Sequence, residues 1–359
     1  MSTFTLLPAM KVENIPLILV GGGLIALVGL AYLVLEDFIL SDFSSFKTKS
    51  KRLHGSRTVL GAQIGLIILS MIVTRSSAMS LQARLGLPRG NQIMGFIILF
   101  ASFLLPLTYR LQPNSHYMHR LVVIFLTCAP TFVILTISYE SLFYVAFSIT
   151  LLAWVRLEYA YQAFTQGKAK RGVVAEQQKR ELGAFRPLTL SDARVSLFFM
   201  VLLQSAFFST GNVASVAQFS LESVNRLFPV FDPVSQGALL ILKLMIPFVL
   251  ISANLGVLNK RLGVAPSALF MVVLAASDIL TLYFFWVVKD EGSWLEIGST
   301  ISHFAIASGL CVFVAALEGV SAVFIAGIEI EDGEQVSTNG KPVSSPKTNG
   351  KASSTVKAE

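Results

Sequence analysis

Residues 236–258 read QGALLILKLMIPFVLISANLGVL, and residues 266–288 read PSALFMVVLAASDILTLYFFWVV. Each run meets the roughly 20 mostly apolar residues needed to cross a bilayer. Each also carries one formal charge well inside it, Lys243 in the first and Asp278 in the second. A third run, 300–327, holds Glu318. A charge at the centre of a bilayer costs roughly 2.5–3.5 kcal/mol on insertion scales, so each of these groups needs a partner, water or a function.

The same reading extends to the rest of the chain. Only 14% of its 359 residues are charged and 54% are hydrophobic, where a soluble domain carries about 25% charged residues. Lipid takes the place of the missing polar shell. Nine apolar runs are expected to span: about 16–40, 57–75, 91–109, 120–138, 141–162, 193–210, 236–258, 266–288 and 300–327. The expected fold is therefore an all-α, polytopic bundle of transmembrane helices, with 1–330 as one multi-span membrane domain. The formal charge of +7 does not point to nucleic acid, because its excess falls in short loops between spans. Cys128 and Cys311 both lie in apolar runs, which argues against a disulfide framework. His116 and His119 form an HxxH pair beside Pro113 and Asn114. A loop is expected there, and it gives a metal little to bind.

The positive-inside rule orients the bundle. The first, third, fifth and seventh loops hold fifteen Lys and Arg and the others five. The Lys/Arg-rich loops are thus expected on the cytoplasmic side, with the N-terminus luminal and the C-terminus cytoplasmic. The long loop 163–192 reads as a solvated basic linker, with a short surface helix around 173–182. The tail 331–359 repeats Thr-Asn-Gly-Lys among Ser and Pro and cannot bury enough apolar surface to fold. Pro106, Pro130, Pro247 and the run Gly21, Gly22, Gly23 interrupt spans. They read as packing features, tolerated where neighbouring helices satisfy the freed backbone.

With this topology, Lys243 lies about 10 Å and Asp278 about 15 Å below the luminal side. Matched depth, opposite charge and antiparallel neighbouring spans make them expected partners, while Glu318 lies toward the cytoplasmic half. His303 starts the last span nearby. The adjoining loops supply Thr210, Asn212 and Trp294. A polar mouth with an aromatic rim and a buried cation suits a lipid phosphate. The same residues also suit a Lys–Asp pair that only sets helix register. No GxSxG, P-loop or GxGxxG stands in a proper context, and nothing here amounts to a complete catalytic centre.

Four stretches carry a resemblance: Phe207 through Ser215, Lys243-Leu244-Met245-Ile246-Pro247-Phe248, Ser277-Asp278-Ile279, and 289–302, KDEGSWLEIGSTIS. Together they make residues 197–314 resemble the C-terminal membrane region of the GPI ethanolamine phosphate transferase 1 family. The resemblance implies an endoplasmic reticulum enzyme that moves ethanolamine phosphate from phosphatidylethanolamine to the first mannose of GPI precursors. It further implies a large lumenal catalytic domain with a divalent metal and a threonine nucleophile. This chain has no counterpart to that domain. It is thus expected to be a C-terminal portion of a longer product, or a gene model begun at an internal methionine. A proton-coupled transporter, a lipid scramblase and a membrane scaffold are the competing readings of the intramembrane polar groups.

Overall fold

A helix that is apolar all round is stable only where its surroundings are apolar all round. The run 120–138 is such a segment, and in the computed structural model it becomes the centre of the bundle. The structure describes residues 13–41, 54–104, 116–169, 185, 187–210, 223–265, 267–287 and 293–326. Among these, nine α-helices follow in order: α1 (Ile15–Ser41), α2 (His54–Gln82), α3 (Arg89–Leu104), α4 (Tyr117–Leu135), α5 (Glu140–Ala169), α6 (Leu190–Thr210), α7 (Pro233–Arg261), α8 (Ala268–Val287) and α9 (Trp294–Phe324). A short 3₁₀ turn, Val224–Arg226, precedes α7. The expected surface helix at 173–182 and the tail from 331 lie outside the described residues.

Each expected span has a helix at its place. Seven of the nine helices are long and apolar enough to cross a membrane, and α3 and α6 are not among them. The described part of α3 has 16 residues. In α6 the described side chains end at Ala206, which leaves a stretch shorter than the helix itself. The α2 helix runs past the expected 57–75 because Arg75, Ser76, Ser77 and Ser80 do not stop it.

Every residue of α4 is buried. It packs against α1, α2, α3, α5 and α7, while α7 in turn carries α5, α6, α8 and α9. Pro130 sits inside α4. It has no N–H, so the Leu126 carbonyl loses its partner and its neighbours are disturbed. Three adjoining helices donate to this region. Gln63 Nε2 of α2 donates to the Val123 carbonyl at 3.1 Å and to Thr127 Oγ1 at 2.7 Å. The Tyr144 hydroxyl of α5 donates to the Phe125 carbonyl at 2.6 Å. Ser102 of α3 donates to the Thr127 carbonyl. In a medium without water such donors are the available compensation.

The glycine run of α1 is a packing surface. A Cβ on Gly21 would run into Ser141 at the start of α5, and one on Gly22 would meet the Met71 side chain of α2. Close approach of backbones is what small residues provide between membrane helices.

One end of the bundle collects basic groups. Arg120 Nε donates to the Phe324 carbonyl at 3.0 Å and Lys260 Nζ to the Ile325 carbonyl at 3.1 Å. These two cations satisfy carbonyls at the C-terminus of α9, where the helix dipole is negative. The Arg261 guanidinium lies between the rings of Tyr117 and Tyr159, 3.7 and 3.8 Å from their centroids. Glu36 faces Arg57 at 3.6 Å and His119 at 3.5 Å. The HxxH pair is not in a loop as expected. His116 is the N-cap of α4 and accepts from the Met118 N–H, and His119 lies within the helix, buried against Tyr32.

Candidate functional site

At the opposite end from the basic cluster, α4 closes onto α5 through a turn that is sunk into the protein. Thr136, Ile137, Ser138 and Glu140 are all buried. A buried turn must find partners for its backbone, and this one does. The Thr136 hydroxyl donates to the Phe132 carbonyl at 2.8 Å. Arg226 Nη1 donates to the Ile134 carbonyl at 2.6 Å. The Asn14 N–H donates to the Ile137 carbonyl at 3.1 Å. The Ile137 N–H donates to Glu140 Oε2, also at 3.1 Å.

Two ion pairs meet this turn. Lys243 Nζ lies 2.7 Å from Glu140 Oε2, and Arg226 pairs with Glu13. Lys243 is only 4% exposed. Its position on α7 explains why. Gln236, Leu239, Lys243, Ile246 and Leu250 are all buried and follow the helical i, i+3, i+4 spacing, so Lys243 belongs to the stripe that faces the core. Helical side chains lean toward the N-terminus of their helix. The ammonium therefore climbs back toward the start of α7 and reaches the first residue of α5. Pro247 also lacks the N–H that would bind the Lys243 carbonyl, so the helix is perturbed at this level.

The expected Lys243–Asp278 pair does not form. The α8 helix packs chiefly on α9 and α6 and touches α7 only slightly. Its buried stripe includes Phe270, Val273 and Ser277, and Asp278 falls one residue, about 100°, beyond it. Asp278 is exposed, and its Oδ1 accepts from the Cys311 thiol at 3.2 Å. Opposite charge on consecutive helices is not enough, because azimuth decides which side chains meet. Glu318 is half-buried on α9.

The other expected site residues are only partly covered. Thr210 ends α6 and His303 lies in α9, but their side chains are outside the described residues, as is the whole of Asn212. Trp294 opens α9 and is 90% exposed, and Trp286 near the end of α8 is 87% exposed. Two exposed indoles at one end of neighbouring antiparallel helices fit an interfacial aromatic belt.

Glu140, Arg226 and Glu13 were not singled out by the sequence reading. Glu140 follows Tyr139 in the tight turn between two expected spans. A carboxylate at the first position of a span, on the same side as a buried lysine, was the available signal. The tetrad balances two cations with two carboxylates and contains no nucleophile. Buried hydroxyls of Ser138, Ser141 and Ser223 retain hydrogen-bonding capacity beside it. It can hold the turn, the 3₁₀ segment and the lead-in to α1 in one arrangement, and it can offer polar contacts to a head group. Among the described residues no three His, Cys, Asp or Glu side chains gather as metal ligands. They therefore do not fit the divalent metal that the resemblance implies.

Comparison with known proteins agrees with the four motif stretches. A protein from Gibberella zeae called GPI ethanolamine phosphate transferase 1 is 80% identical over 92% of this chain and 34% of its own length. A Neurospora crassa protein of the same name is 68% identical over 95% of this chain and 35% of its own. One from Saccharomyces cerevisiae is 41% identical over 92% and 33%. The chain thus spans about a third of the length of the curated relatives it matches. No solved structure matches it. The profile of the phosphatidylinositolglycan class N family covers residues 1–293, well over half of the chain. With seven candidate spans among the described residues, the chain is a multi-pass membrane member of the phosphatidylinositolglycan class N (PIG-N) family.

Proposed function

We propose that this chain is the membrane portion of an endoplasmic reticulum transferase that adds ethanolamine phosphate, taken from phosphatidylethanolamine, to the first mannose of GPI-anchor precursors. The observation that carries this reading is the 80% identity to a GPI ethanolamine phosphate transferase 1 across 92% of the chain. The bundle would hold two lipid substrates beside a lumenal catalytic domain, to which the reaction's divalent metal and nucleophile belong. In this reading the end with Trp286 and Trp294 is luminal, and the end with Arg120, Lys260 and Arg261 is cytoplasmic. The fifteen-to-five charge asymmetry supports that orientation. The tail 331–359 would then be a disordered cytoplasmic segment.

Head-group contact on this reading falls to Trp294, Thr210, Asn212 and His303 at the luminal rim. Lys243, neutralised by Glu140, sets the frame behind them. Asp278 is about 14 Å from the end of α8, deeper than a head group at the interface. The test is the glycolipid profile of cells depleted of this gene product. Labelled with mannose, they accumulate GPI precursors whose first mannose lacks ethanolamine phosphate, and the intact gene restores the modification. Normal precursors after depletion would refute the reading.

A further inference from the structure

We infer that the outward face of α8 and α9 is the docking surface for another transmembrane helix, one that brings a lysine or arginine to mid-bilayer depth. The candidate spans contain several carboxylates. Glu36, Glu140 and Glu158 each have a cationic partner, Arg57, Lys243 and Arg194 respectively. Asp278 and Glu318 have no ion pair among the described residues. Asp278 has only the thiol of Cys311, itself close to the Thr281 hydroxyl at 3.7 Å.

These two acids share one edge of the bundle. Asp278 contacts Cys311, and Glu318 follows Cys311 by seven residues. Seven residues return a helix to nearly the same azimuth, about 10 Å further along. The acids are therefore stacked one heptad apart on a single line. Beside Asp278 the surface is apolar: Ile279, Leu282 and Val312, next to Cys311, are exposed. The face resembles a seam of knobs with two carboxylates set into it.

Asp278 stands midway along α8, with ten residues before it and nine after it. Lipid chains offer an ionised carboxylate nothing at that depth, and acidic side chains in spans face protein partners or water as a rule. The amine of a phospholipid stays at the interface and does not reach it. A symmetric contact with a second copy would set Asp278 against Asp278, a like-charge approach that disfavours association. A further membrane span with a basic residue opposite Asp278 removes both difficulties. A second basic or hydrogen-bond-donating residue seven positions along would meet Glu318.

The test uses the full gene product in its native membranes. A photo-crosslinking amino acid is placed at Ile279 or Val312, and adducts are mapped by mass spectrometry. The expected adduct lies on a membrane span within two turns of a Lys or Arg. It is retained in D278E and falls at least about tenfold, equivalent to about 1.4 kcal/mol, in the D278L/E318L double variant. Thermal stability of D278L/E318L in detergent serves as the folding control and stays unchanged or rises, because Asp278 is exposed, Glu318 is half-buried and neither has an ion pair among the described residues to lose. Adducts with lipid alone, with a second copy or with a span lacking a basic residue would overturn the proposal. So would an adduct undiminished in D278L/E318L, or loss of the adduct accompanied by unfolding of that variant but not of D278N. Because the readout is a contact and not a GPI product, its failure is distinguishable from failure of the transferase reading.

Discussion

Replacing Lys243 by Met strands the Glu140 carboxylate, which is buried and then keeps only the Ile137 N–H at 3.1 Å. Loss of one partner of a buried pair costs roughly 3–5 kcal/mol. Glu140→Leu leaves a buried ammonium instead, for a similar loss, and removes the acceptor of Ile137. The double variant K243M/E140L carries no uncompensated charge. Its loss is mainly the orphaned Ile137 N–H, about 1–3 kcal/mol, against a sum of about 6–10 kcal/mol for the singles. The assay is unfolding of the purified chain in mixed detergent micelles, followed by helicity, for the wild type, both singles and the double. The same cycle run with Lys243→Met and Asp278→Leu gives additive losses within about 0.5 kcal/mol, since the two groups share no partner. Additivity in the Glu140 cycle, or strong coupling in the Asp278 cycle, would refute the assignment.

Two other outcomes follow from the packing and the caps. Gly21→Ala pushes a Cβ into the Oγ and Cβ of Ser141 and costs about 1–3 kcal/mol. S141G recovers most of it, whereas Gly61→Ala, which meets nothing within 4 Å, is neutral or gains up to about 1 kcal/mol from helix propensity; the same detergent unfolding measurement reads all three. Burial, and then the nearby Arg261 charge, lower the His116 imidazole from 6.5 to about 4. The unfolded chain therefore binds the proton first as pH falls, so this group's contribution to stability is complete above about pH 6.5 and is lost toward pH 4. Thermal midpoints across that range should flatten in His116→Asn, which keeps a capping acceptor without a titrating ring.

The helices were legible because a bilayer demands long apolar runs, and each of the nine runs has a helix at its place. What was not legible was azimuth. Lys243 and Asp278 lie on consecutive helices, yet one belongs to an inward stripe and the other sits a residue outside its own. Alternating polar and apolar positions usually reveal such stripes, but in a membrane both faces of a helix are apolar. Gln63 illustrates the same difficulty. It is a polar side chain in an otherwise apolar run, and it is a donor to the backbone around Pro130. Nothing in the residues of the short 136–140 connection shows that it is interior, so Glu140 was not linked to Lys243.

The recessed α4–α5 connection bears on how the sidedness of this protein can be measured. Short connections between spans are the customary places to insert an epitope, a glycosylation acceptor or a protease site, because insertions are tolerated where the backbone is exposed and unbonded. Between Thr136 and Glu140 neither condition holds. The turn is buried, Asn14 and Arg226 bind its flanking carbonyls, and Glu140 is committed to Lys243. A reporter placed there would be hidden from its reagent on either side of the membrane, or would prise the bundle open and report an artefact. Mapping therefore has to rely on the ends of α2 and α8, where Leu85 and Trp286 are well exposed.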